Sequence, residues 1–83
     1  MQEMRIVGLV TGREVVTQVR TDGGPWKQTR MDYDTFTEYM RATFPADFRE
    51  YEKKGRGKPA PDFFYNYGET ASMRRKGEAY IYR

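Results

Sequence analysis

An α+β fold, with a small antiparallel sheet packed on one face by two short helices, is what this sequence predicts. Three observations carry the prediction. Two neighbouring runs, 4–11 and 14–20, are rich in β-branched residues, and the Gly12-Arg13 pair between them suits a tight reversal. Residues 31–44 instead repeat apolar side chains at helical spacing: Phe36, Tyr39, Met40, Thr43 and Phe44 fall on one stripe, with Asp34, Glu38 and Arg41 opposite. The mean hydropathy of -0.97 approaches that of disordered chains, yet 16% of the residues are aromatic, which supplies the large buried areas that disordered chains lack. Eighty-three residues make one domain with a small core, because a chain of this length buries only about 60 to 65% of the surface its unfolded form exposes.

In the second strand Val15, Thr17 and Val19 share one face and Val16, Gln18 and Arg20 the other, and the first set is the one expected to meet the helices. Gly8, inside the first strand, marks a bulge. Asp22-Gly-Gly-Pro25 is a concentrated turn signal, after which a third strand should run over 26–31. Trp26, the only tryptophan, has two readings: a stacking or interface anchor, or a lid over one end of the core. The lid is preferred, since so small a core needs the area.

The first helix spans 33–44. Asp32 can cap it by accepting from the amides of the first turn, Met31 can staple against Phe36, and Pro45 ends it. A second helix over 45–54 has proline at its first position, an acid in its first turn, two lysines in its last and Gly55 just beyond. Its apolar edge is Phe48 and Tyr51, and its cap is weak because Phe44 has no side-chain acceptor. Residues 55–61 hold two glycines and two prolines, and four basic residues lie between Lys53 and Lys58, which together predict a mobile basic loop. The remaining strands are expected over 63–67, 71–75 and 78–83, the last two as a hairpin with glycine in its turn, although 69–75 also suits a short helix by propensity alone.

The net charge of +3 conceals a segregation: residues 1–30 carry +2, residues 31–52 carry -4 and residues 53–83 carry +5, so faces of opposite sign are expected. Cysteine and histidine are both absent. That removes disulfides, thiolate nucleophiles, the commonest general base and the commonest metal ligand. No apolar run approaches the roughly 18 residues of a membrane span or forms a signal peptide, which predicts a soluble, cytoplasmic protein.

The acids Asp32, Asp34, Glu38, Asp47, Glu50 and Glu52 could in principle hold magnesium, but capping, first-turn charge and solvation account for most of them. With no convergent motif the chain is expected to be no enzyme and to use no cofactor and no metal. Two binding classes remain. Interface cores favour Tyr, Trp, Phe, Met and Arg, and this chain has seven Tyr, five Phe, five Met and one Trp, of which the core can use about half. A protein-binding module is therefore the first expectation, with Trp26, Arg56, Lys58, Phe63, Phe64, Tyr65, Tyr67, Arg74, Arg75, Lys76, Tyr80 and Tyr82 as the contact residues. An inhibitory accessory protein of phage or mobile-element type fits this size and composition by analogy. Single-stranded DNA or RNA is the alternative partner, since the same cations interleave with rings able to stack on bases.

Overall fold

The computed structural model describes residues 1–67 and 79–83. Four strands, β1 (Gln2–Val10), β2 (Glu14–Thr21), β3 (Lys27–Asp32) and β4 (Ile81–Tyr82), form an antiparallel sheet in the order β3-β2-β1-β4. Between β3 and β4 the chain forms α1 (Tyr33–Thr43), α2 (Pro45–Lys54) and α3 (Ala60–Asn66). The α+β class is thus as expected, with one helix more among the described residues. The expected strand over 71–75 and the glycine turn after it lie outside the described residues, as does the alternative helix over 69–75. Of the strand expected over 78–83, Ile81–Tyr82 is paired, against Met4 and Arg5 of β1.

Register decides the two faces of the sheet. Met4 pairs with Val19 and Ile6 with Thr17, while Glu3 pairs with Arg20 and Arg5 with Gln18, so apolar and polar residues alternate from one side to the other. The shift between Ile6 and Gly8 is the bulge expected at Gly8, and it leaves Val7 48% exposed. The β1–β2 turn reverses through Gly12 (φ 93°) and Arg13 (φ 63°). Met4, Ile6 and Val15 on one face join Phe36, Met40, Phe44, Phe48, Ala60, Phe64 and Tyr82 in a single core, with Leu9, Val19 and Met31 packed at its margin. Thr17 is buried among them, and its hydroxyl bonds the Thr29 hydroxyl of β3 at 3.0 Å.

The helices keep to their sequence grammar. The Asp32 carboxylate accepts from the Thr35 amide at 2.7 Å, so its pKa is lowered by the bonds of the cap it makes. Phe44 closes α1 through its own amide, 2.9 Å from the Met40 carbonyl, and α2 begins at Pro45 without a side-chain cap.

The aromatic run 63–67 is a helix rather than the expected strand. Pro61 sits in the first turn of α3 with Asp62 beside it, a helix start that the β propensity of four aromatic residues obscured. Helical spacing stacks Phe63 on Tyr67 at 5.2 Å and turns Phe64 into the core. The Tyr82 hydroxyl donates to the Phe64 carbonyl at 2.6 Å, tying β4 to α3.

The basic loop shrinks to 55–59 and contains a tight turn. Arg56 (φ 48°) and Gly57 (φ 82°) take successive left-handed conformations, and the Lys58 amide closes on the Gly55 carbonyl at 2.9 Å. The Tyr51 hydroxyl donates to the Lys58 carbonyl at 2.9 Å. Gly55 itself is right-handed (φ -65°), and its missing side chain instead makes room for Tyr51: a Cβ there would stand 2.8 Å from the Tyr51 ring and 2.6 Å from its carbonyl.

Candidate binding surface on the open sheet face

The second face of the sheet is covered by no helix among the described residues, and alternation along the strands places mostly long polar side chains there, with Val16 and Ile81 among them. Glu3 and Arg5 of β1, Gln18 and Arg20 of β2, Gln28 and Arg30 of β3 and Arg83 after β4 all project there. Strand pairing brings them into bonding range. Arg5 donates through Nε to Gln18 at 2.7 Å, and the Gln18 amide donates to Gln28 at 3.1 Å, a chain running across three strands. Arg20 and Arg83 each donate through Nε to opposite oxygens of Glu3, both at 2.7 Å. Those bonds, Arg20's first, hold the Glu3 carboxyl down to about 2, against an ordinary value near 4.5. Arg30 stands 3.8 Å from Glu14.

Trp26 lies over this network. It precedes Lys27, which pairs with Val19, so the tryptophan falls beside Arg20 on the polar side of the sheet. The Arg5 guanidinium is 4.1 Å from the centre of the indole and that of Arg20 is 4.4 Å, two cation–π contacts on one ring. Trp26 is therefore not the lid over the core that the area argument preferred. That argument assumed a core short of aromatic surface, and the rings of 63–67 enter it instead.

The other described sequence-selected residues fall in two places, an aromatic cluster at the core and the turn after α2. Phe64 and Tyr82 are buried, and Phe63, Tyr65, Tyr67 and Tyr80 are half-buried against the same core. Tyr67 also stacks on Tyr82 at 6.4 Å, and burial raises its pKa, helped by Glu50 and Asp47. Arg56 and Lys58 are exposed on the tight turn after α2. Arg74, Arg75 and Lys76 lie outside the described residues. Sequence reasoning missed Arg5 and Arg20, the two cations on Trp26, and the Glu3, Gln18, Gln28, Arg30 and Arg83 side chains that share their face. Strand alternation was the signal that could have found them, since it already separated Gln18 and Arg20 from the core face.

Three acids of the middle segment serve the fold. Asp32 caps α1, Glu38 pairs with Arg41, and Glu50 lies 3.2 Å from Lys54. Asp34 lines a shallow cleft with Arg13, Tyr33, Lys58 and Pro59, where Arg13 covers the Tyr33 ring at 4.5 Å and the Tyr33 hydroxyl reaches Asp62 at 3.4 Å. Among the described residues no three acids converge as metal ligands would, and no helix is long and apolar enough to cross a membrane. No family model, no curated protein and no solved structure matches this chain.

Proposed function

We propose that the protein is a non-enzymatic binding module that contacts a protein partner through the open sheet face centred on Trp26. The observation that carries this reading is the position of the tryptophan: it packs on two arginines outside the core, on a face that no described helix covers. Trp and Arg are the residues that most often dominate interface energetics, and a guanidinium fixed by an inner Nε bond and a ring loses little conformational entropy when a partner arrives. Arg5 and Arg20 are both fixed in this way.

Single-stranded nucleic acid is the second reading, favoured by the four arginines on this face against two glutamates. The ring contacts weigh against it. The aromatic run pairs its rings with one another and packs them on the core. Base stacking needs rings with an open face.

Affinity capture from a lysate, with and without nuclease, separates the two. A partner retained after nuclease, lost with Trp26→Ala and only modestly weakened between 50 and 200 mM salt supports protein binding. Binding to oligonucleotide that falls by about 10³ over that salt range, as six neutralised phosphates require, would replace it with the second reading.

A further inference from the structure

The β3 edge lies next to this face. β3 is an outermost strand of the sheet, and among the described residues nothing pairs with its outer side. Lys27 to Arg30 are all exposed. Alternate backbone groups along such an edge are open to another chain. The side chains on its two flanks differ. Toward the open face stand Gln28 and Arg30, beside Trp26 and Arg20. Toward the helical side, Val19, Thr21, Pro25, Lys27 and Thr29 line a shallow groove at the end of the sheet.

Resting on the protein-binding reading, we infer that β3 receives an extended partner segment as a fifth strand, and that this segment alternates carboxylate residues with small apolar ones. The alternation follows from strand geometry. Residues of the added strand that face the open side meet Gln28 and Arg30, where a carboxylate pairs with a cation, and those between them drop toward the groove at Val19, Pro25 and Thr29, which the stem of Lys27 borders with its ammonium free to reach solvent or a neighbouring carboxylate. A second copy of this chain is the poorer occupant, since it would bring Lys27 and Arg30 of both edges to one seam with Asp32 as the single acid of each.

The test uses the full chain labelled with ¹⁵N and a blocked alternating Glu-Val octapeptide, with Lys-Val and alternately N-methylated Glu-Val peptides as controls. The Glu-Val peptide should shift the amides of 27–32 and the Trp26 indole, and slow hydrogen exchange at the outward amides of β3. The Lys-Val and N-methylated peptides should bind at least about tenfold more weakly, and Arg30→Glu should invert the preference between Glu-Val and Lys-Val. Equal binding of the N-methylated peptide would overturn the inference, because it would show charge attraction without an added strand. So would shifts centred away from β3, no shift at about 1 mM peptide, or stronger shifts of the same amides with oligothymidylate. A nuclease-resistant protein captured by a chain that ignores the Glu-Val peptide would remove the edge and leave the binding function standing.

Discussion

Glu3 is the residue on which the open face is hung, since Arg20 of β2 and Arg83 just after β4 converge from either side of β1 on one carboxylate that is only 8% exposed. Its pKa is lower in the folded chain, about 2, than its ordinary value of 4.5. The folded state therefore binds its proton less readily, and the resulting stability is fully present above about pH 4.5 and lost as the pH falls toward 2. Glu3→Gln should be less stable than wild type at pH 7, and the gap between the two should narrow through that window. Denaturant melts at a series of pH values measure this, and a gap independent of pH would contradict the ion-pair geometry. Gly55 and Gly8 provide a steric contrast. A Cβ at Gly55 has no room beside Tyr51, so Gly55→Ala should cost about 1 to 3 kcal/mol, as overpacking does. A Cβ at Gly8 meets nothing within 4 Å, so Gly8→Ala should be neutral or stabilising by up to about 1 kcal/mol. Equal melting temperatures for the two variants would contradict the contact between Tyr51 and Gly55.

At the scale of elements, α1 is the piece that closes the core. Phe36 is fully buried against Phe64, at 6.2 Å between rings, while Glu38 faces solvent in a pair with Arg41. Phe36→Ala should cost about 3 to 5 kcal/mol, most of the stability expected of a domain this small, and Glu38→Ala less than about 1. A thermal melt checks both. Tyr82→Phe removes the bond to the Phe64 carbonyl and should cost about 1 kcal/mol, or roughly 4 to 8 °C in Tm. The helices α1 and α2 were legible because their signals are local: Asp32, Pro45 and the stripe from Phe36 to Phe44 each act within a few residues. So were β1 to β3, whose boundaries fall within two residues of expectation. α3 was not, because the aromatics at 63, 64, 65 and 67 favour strand locally, and only the Pro61-Asp62 start and the one-turn spacing of Phe63 and Tyr67 argue for helix. The site was harder still to read. The two arginines on Trp26 come from β1 and β2, and no local signal reports a juxtaposition that depends on strand order.

For the molecule as a whole, the expected segregation of charge becomes a division between layers. The division is partial: α1 to α3 hold six acids against the cations Arg41, Arg49, Lys53 and Lys54, while Arg5, Arg20, Arg30 and Arg83 outnumber Glu3 and Glu14 on the opposite side of the sheet. The core and the proposed contact surface are thus separate, and fold and binding should respond to different substitutions. Parallel measurement of the thermal melt and of partner capture for Trp26→Ala and Phe36→Ala tests this most directly. Trp26→Ala should keep a melting temperature within a few degrees of wild type and lose about 30-fold or more in capture, the loss of a contact worth about 2 kcal/mol, whereas Phe36→Ala should lose both together through unfolding. If Trp26→Ala instead unfolds like Phe36→Ala, or keeps its fold and captures the partner undiminished, the open sheet face is not the binding surface.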